Sequence, residues 1–311
     1  MDRGPGLRQN SGAQCFIPSG VADDESLHET LKDSEMTMIS DIPGTAVSDI
    51  FGPGKALIGV VHCPPFPGAP RYRGEPIGAI MDACLRDAEA YMEGGMSGLI
   101  IENHGDIPFS KPEDLTPETA ACLAVATDRI RQATGAPVGI NVLANAPIHA
   151  LAVAAATGAA FIRVNQWANA YVANEGFMEG RAAEAMRYRS LLRAENVRVF
   201  ADTHVKHGAH AITADRSIPE LTRDLAFFDA DVVIATGQRT GDAATEEELA
   251  TVAGATHLPV LVGSGVTADN IQRILSIAAG VIVASSLKRD GVWWNPVEVS
   301  RVRGLVARAR G

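Results

Sequence analysis

Residues 56–61 read ALIGVV, a run of aliphatic and β-branched residues with no polar position before His62. A strand with one solvated face alternates apolar and polar residues, so an unbroken run marks a strand covered on both faces, as in a parallel sheet. Seven more runs of this kind follow: GLII (98–101), PVGINV (137–142), FIRV (161–164), VRVFA (197–201), DVVIA (231–235), PVLV (259–262) and GVIVA (280–284). Between them lie longer amphipathic stretches with helix punctuation. Thr116-Pro117 puts proline at a first helical position, and Ser217-x-x-Glu220 and Thr245-x-x-Glu248 have the spacing of capping boxes. Gly94-Gly95, Gly135 and Gly158 mark helix ends. Strand starts from 56 to 280 make seven repeats of 32 residues, the length of a βα unit. Eight such units predict a (βα)8 TIM barrel. The rival doubly wound sheet lacks its G-x-G-x-x-G fingerprint after the first strand.

This pattern organises residues 51–311 as one barrel. Residues 1–50 carry no sustained period, are rich in Gly, Ser, Asp and Glu up to residue 40, and are expected to be a flexible tail. Met36 and Met38 are alternative starts, so residues 1–35 need not be translated. At 46% hydrophobic and 21% charged the chain can bury a full core. A net charge of −10 disfavours a nucleic-acid partner. Cys15, Cys63, Cys84 and Cys122 form no C-x-x-C pair, which argues against a structural zinc or a disulfide framework. No run of 18 apolar residues and no secretory signal pattern is present, so the expected compartment is the cytoplasm.

The segments after the first, second, fourth and fifth runs are long: 63–76, 103–116, 166–180 and 203–217. All four leave the C-terminal ends of strands, where barrel enzymes build their sites. The seventh run ends in Gly263-Ser264-Gly265, and the eighth leads to Ser285-Ser286 and then Lys288. Glycine lets backbone approach an anion, and these two loops are the usual phosphate site of TIM barrels. With Gly237 after the sixth run, they form the expected phosphate cradle. In Asp202-x-His204-x-Lys206, strand spacing would aim all three side chains to one face, as a set for proton transfer, as metal ligands, or as a Schiff-base lysine with neighbours. Glu102 is its expected acid/base partner. His62, Asn103, Asp106, Asn141, Arg163 and Asn165 close other strand ends and are expected to orient substrate. Glu102 and Arg163 in otherwise apolar strands imply either an ion pair inside the barrel or a polar site at its mouth. Cys63 beside His62 is discounted, because strand neighbours face opposite ways. Trp293-Trp294 is expected to seal the barrel or an oligomer contact.

The motifs IGVVHCPPFPGAPRY (58–72), GLIIENHGDIPF (98–109), GINVLANAP (139–147), FIRVN (161–165), EGRAAEAMRYR (179–189), FADTHVKH (200–207), IATGQRTG (234–241) and VLVGSGVT (260–267) together resemble the BtpA/SgcQ family. The resemblance implies a ribulose-phosphate-binding type of TIM barrel and leaves the reaction open. It also implies two classes of function. One is an enzyme acting on a phosphorylated sugar or nucleotide-like metabolite, as an isomerase, lyase or glycosidic hydrolase. The other is a non-catalytic factor for photosystem I or membrane-complex biogenesis. No organic cofactor is indicated, a divalent metal stays open, and so does a homo-oligomer.

Overall fold

The first strand, β1 (Ala56–His62), is buried along its whole length except at His62, which is half-buried. Such a strand needs partners on both edges and cover on both faces. It finds them in β2 (Gly98–Glu102) on one side and β10 (Gly280–Val283) on the other, both parallel. The remaining barrel strands are β3 (Val138–Asn141), β4 (Phe161–Val164), β7 (Arg198–Asp202), β8 (Val232–Ala235) and β9 (Val260–Val262). They close the ring in the order β1-β2-β3-β4-β7-β8-β9-β10, with every neighbour parallel. The chain is therefore a closed (βα)8 barrel, and each apolar run of the sequence is one strand. This computed structural model describes Met1 and residues 45–205, 208–237 and 245–311.

The helices between the strands are α2 (Ile77–Gly94), α3 (Pro117–Thr134), α4 (Pro147–Thr157), α5 (Ala182–Leu191), α6 (Ile218–Phe227), α7 (Glu246–Ala253), α8 (Ile271–Leu275) and α9 (Val299–Arg310). Thr245 and Glu248 form a reciprocal capping box on α7, whereas Ser217 accepts only from the Glu220 amide. Gly95, Gly135 and Gly158 take the left-handed conformation that ends α2, α3 and α4. Cover for the outer face comes from residues such as Tyr91 on α2. Its ring lies where a Cβ on Gly59 would stand, and its hydroxyl donates to the Val60 carbonyl at 3.0 Å.

The barrel interior is a second apolar cluster built from inward residues, among them Ile58, Ile100, Phe161, Phe200, Ile234 and Ile282. Phe161 stacks on Phe200 at 4.2 Å and meets Phe51 edge-on at 5.8 Å. Phe51 ends a short helix, α1 (Ala46–Phe51), whose Ala46 and Val47 are buried in the same cluster. This helix spans the position of the boundary expected between residues 50 and 51 and packs against the barrel interior. Asp49 on that helix lies 3.4 Å from Arg198 at the start of β7.

At the C-terminal end the register sets His62 beside Glu102, Glu102 beside Asn141, and Asn141 beside Arg163. Four adjacent strands therefore finish on one polar rung above an apolar interior. The long segment after β4 folds into an antiparallel hairpin, β5 (Ala170–Ala173) and β6 (Gly176–Glu179). Val172 of the hairpin exchanges two backbone hydrogen bonds with Ala209 of the loop after β7, at 3.0 and 2.8 Å.

Phe161→Ala should lower the free energy of unfolding by about 3–5 kcal/mol, since the barrel interior cannot collapse onto the vacated ring. Urea denaturation checks this, and a loss below about 1 kcal/mol would show that Phe161 does not bridge the interior.

Candidate functional site

A cavity of about 590 Å³ opens at the C-terminal mouth. Its floor is held by Arg163, whose Nε and Nη2 each donate to one Asp202 oxygen at 3.1 Å. The two side chains are 7% and 2% exposed, so this is a buried ion pair. Burial works against the guanidinium charge, yet Asp202 and then Glu102 hold its pKa above the ordinary value. Asn165 Nδ2 adds a third bond to Asp202 at 3.1 Å. The guanidinium reaches across to β9, where a Cβ on Gly263 would stand 3.3 Å from Nη2 and only 2.6 Å from Ile234. Arg163 therefore pairs with Asp202, whereas an internal partner in Glu102 was one of the two sequence expectations.

Glu102 has other partners. Its Oε2 accepts from Asn141 Nδ2 at 2.7 Å, and its Oε1 accepts from His104 Nδ1 at 2.9 Å. Burial pushes its carboxyl up, but the His104 bond, with the charges of His104, His62 and Arg163, outweighs this and holds it below the usual carboxylate range. His62 Nε2 lies 3.9 Å from the same Oε1. The His62 ring stacks on His104 at 4.3 Å, and Trp293 meets both rings edge-on. Burial first, then His104, lowers the His62 pKa to about 3, against the pull of Glu102. Its Nδ1–H donates to the Trp293 carbonyl at 3.2 Å, which leaves Nε2 as a bare acceptor. The oxygens Asn141 Oδ1 and Asn165 Oδ1 are buried without a partner among the described residues, and both side chains line the cavity.

On the β9 and β10 side, the loop 263–267 is shaped by Asn270. It accepts from the Thr267 amide at 2.8 Å and donates to the Gly265 carbonyl at 2.9 Å. Ser286 Oγ ties the next loop to it through the Val266 carbonyl at 2.8 Å. Gly265 has φ +66°, a left-handed conformation that suits glycine. Among the described residues, the amides of Gly265, Ser285 and Ser286 donate to no acceptor. Ser264 also lines the cavity.

The structure gathers Glu102, His62, Asn141, Arg163, Asn165, Asp202, Gly263, Ser264, Gly265, Ser285 and Ser286 around one cavity. Other expected positions lie apart from it. Asn103 and Asp106 bind loops together: Asn103 bonds the Leu143 amide and carbonyl and Asp106, while Asp106 accepts from the Phe66 amide at 2.9 Å. Burial pushes the Asp106 carboxyl up against those bonds. Gly237 is outside the cavity lining. β7 ends at Asp202, so the strand spacing expected to align His204 with Asp202 does not extend to His204. The His204 ring instead stacks on His210 at 3.8 Å, beside Tyr171, and burial followed by His210 lowers its pKa. Lys206 lies outside the described residues. Lys288, flagged beside the phosphate loop, is buried against Asp87 at 2.6 Å.

Sequence reasoning missed His104, Trp293, Asn145 and Tyr171, all of which line the cavity. His104 had a local signal, two residues from Glu102. Trp293 was read as a seal, and it does close over the two histidines, while Trp294 is 69% exposed. Tyr171 and Asn145 had none, because the hairpin and the turn that present them follow from tertiary contacts. Asn145 holds that hairpin by donating to the Glu179 carbonyl at 3.0 Å.

Fold and mouth together define a closed (βα)8 TIM barrel with a polar cavity at the C-terminal ends of its strands. The BtpA family profile matches residues 53–311, and the chain belongs to that family. An uncharacterised protein of Archaeoglobus fulgidus is 41% identical over 257 residues, covering 83% of this chain and 99% of its own. The photosystem I biogenesis protein BtpA of Synechocystis is 37% identical over 263 residues, covering 84% and 90%. Among solved structures, thiamine phosphate pyrophosphorylase of Pyrococcus furiosus aligns with a TM-score of 0.50 at 14% identity, over 82% of this chain and 95% of that one. Orotidine 5′-phosphate decarboxylase of Pyrococcus horikoshii aligns with a TM-score of 0.50 at 12% identity, over 82% and 100%.

Asp202→Ala should destabilise the fold by about 3–5 kcal/mol, because it strands the buried Arg163 charge. Asp202→Asn should cost less, since it keeps an acceptor for the guanidinium. Denaturation curves of the two variants check the order, and equal losses would mean that Asp202 acts through packing alone.

Proposed function

We propose that this protein is an enzyme acting on a small phosphorylated metabolite, a sugar phosphate or a nucleotide-like compound, by acid/base chemistry at the barrel mouth. The observation that carries this reading is the set of amides at Gly265, Ser285 and Ser286, unpaired among the described residues, on the rim of the cavity that also holds Glu102, His62 and Arg163. Backbone N–H groups bind an anion through fixed partial charges, so they suit a phosphate in a protein of net charge −10. In this reading Ser285 adds a hydroxyl to the cradle, Ser286 fixes the loop through the Val266 carbonyl, Ser264 lines the cradle, and Gly263 and Gly265 keep it open.

The rest of the cavity suits a polyhydroxylated body. The unpaired oxygens of Asn141 and Asn165 would accept from substrate hydroxyls, and each hydroxyl would satisfy an acceptor that is otherwise buried at a cost. Arg163 and Asp202, bonded to each other, hold the floor rigid instead of exchanging protons. The proton-transfer end is therefore assigned to Glu102 with His62 and His104, whereas the sequence pattern pointed to Asp202 and His204. Isomerisation, elimination and glycosidic hydrolysis all use such groups. Two barrels of like fold bear phosphorylated compounds in their names, which supports the same reading.

Pentose and hexose phosphates should raise the melting temperature. Ligand at about 100 times Kd adds about 2.7 kcal/mol, which is several degrees for a barrel of this size. Ser285→Asp should abolish the shift by like-charge repulsion while leaving the ligand-free melting temperature within about a degree or two. A panel of such ligands that moves neither protein counts against the phosphate cradle.

A second reading, a non-catalytic factor for assembly of a membrane complex, is favoured by the name of the Synechocystis relative. No helix of the described residues is long and apolar enough to cross a membrane. Expressing a folded Glu102→Gln variant in place of the Synechocystis protein separates the readings. Retained photosystem I would favour the assembly factor, and its loss the enzyme.

A further inference from the structure

The cluster His62, Glu102 and His104 has the make-up of a metal centre. One ligand atom from each lies within 4.8 Å of the others. Register explains two of the three: His62 and Glu102 are paired positions on β1 and β2. His104 is brought back over Glu102 by a single 3-10 turn, His104–Asp106. Gly105 in that turn packs on the Cys63–Pro65 backbone, where a Cβ would come within 2.5 Å of the Pro65 nitrogen. The imidazole of His104 is thereby placed by backbone contact and not by a flexible loop.

Two of the three ligands are also held from behind. The Trp293 carbonyl can only accept, so Nδ1 of His62 carries the proton and Nε2 presents its lone pair to the cavity. A backbone carbonyl on the second nitrogen is the usual support of a metal-bound histidine. Glu102 Oε2 is fixed by Asn141 at 2.7 Å, which leaves Oε1 facing the two imidazoles. That oxygen and His62 Nε2 stand 3.9 Å apart. Both are acceptors, so the approach is favourable only with a donor or a cation between them. Asn141, which fixes Glu102 through Nδ2, keeps its own Oδ1 for the cavity side assigned above to a substrate hydroxyl.

We propose that His62 Nε2, Glu102 Oε1 and His104 Nδ1 bind one first-row divalent cation of the zinc class at the barrel mouth. Two nitrogen donors and one carboxylate oxygen favour such an ion over magnesium or calcium, which take oxygen ligands. Three protein ligands leave positions open toward the cavity, the arrangement of a catalytic and not a structural centre. Binding displaces the proton that His104 Nδ1 shares with Glu102 in the metal-free protein. The ion would sit where it can polarise a carbonyl or hydroxyl oxygen of a molecule lodged in the cavity. The site shares that cavity with the phosphate cradle but does not require it, since its ligands are on β1 and β2 and the cradle follows β9 and β10.

The full-length protein, stripped with chelator, is titrated with Zn2+ and separately with Co2+. One equivalent should be retained through gel filtration in metal-free buffer, and Co2+ should give the visible absorption of a low-coordinate nitrogen/oxygen site. Glu102→Gln and His104→Gln should each weaken Zn2+ binding by more than the about 10–100-fold that loss of an outer-shell partner costs, and Asn141→Ala by about that outer-shell amount. His210→Gln, in the other stacked histidine pair, should leave affinity unchanged. Absence of a retained equivalent overturns the assignment. So does binding that survives Glu102→Gln and His104→Gln in folded proteins, or that falls with His210→Gln instead. None of these readouts involves phosphate, so failure here and failure of the phosphate-induced thermal shift are separate results.

Discussion

Parallel pairing around a closed ring is the constraint on which the rest of this molecule depends. A strand bonded on both edges and covered on both faces can hold a polar side chain only where it runs out of cover. In β1 and β2 that place is the last residue, His62 and Glu102, and in β3 it is Asn141. Arg163 stands one residue earlier in β4 and survives there because Asp202, at the end of β7, meets it with two bonds. The chemistry of the mouth is thus sorted by register: neighbouring strands in step deliver neighbouring polar groups at one height. A one-residue slip would turn each of these side chains to the opposite face of the sheet.

Within that rung two kinds of polar group have separated. Arg163 and Asp202 satisfy each other, with one added bond from Asn165 Nδ2, and their burial makes them a rigid floor. Glu102, His62 and His104 are only partly satisfied, with acceptor facing acceptor across 3.9 Å. Buried groups that spend their bonds on each other stabilise, whereas groups held in place with a lone pair unspent are prepared for something that is not protein. That contrast is why the proposed proton-transfer groups are those on β1 and β2, three to four strands round the ring from Asp202 on β7.

The fold was legible because its signal is redundant: eight runs, each unbroken, each followed by a helix with punctuation at its ends. The site was legible in part. Polar residues in the last places of apolar strands could be picked out one by one, so Glu102, Asn141 and Arg163 were visible. Their partners were not, since pairing depends on which strands are neighbours and on how far each side chain reaches across the ring. The Asp202-x-His204-x-Lys206 pattern misled for a local reason. It assumed strand spacing beyond Asp202, where β7 ends, and the bend after Asp202 sends His204 against His210. His104 was passed over because its neighbour Asn103 looked equally polar, although Asn103 spends its amide on Leu143 and Asp106.

Lys288 shows why the proposed anion cradle draws on backbone and not on side-chain charge. The loop after β10 leaves the barrel through Ser285 and Ser286 and returns to α9 past Trp293, so one loop serves both the amide rim and the Trp293 carbonyl that holds His62. It is closed on itself by Arg289 N–H to the Pro296 carbonyl and Glu298 N–H to the Leu287 carbonyl, both at 2.9 Å. Asp87 on α2 clamps it from beneath, accepting from Lys288 Nζ at 2.6 Å and from the Val297 amide at 3.0 Å. A lysine 1% exposed and committed to a carboxylate has little charge left for a ligand. Its contribution is to fix the loop, and a fixed loop is what keeps the free amides of Ser285 and Ser286 and the carbonyl of Trp293 in the geometry their partners need.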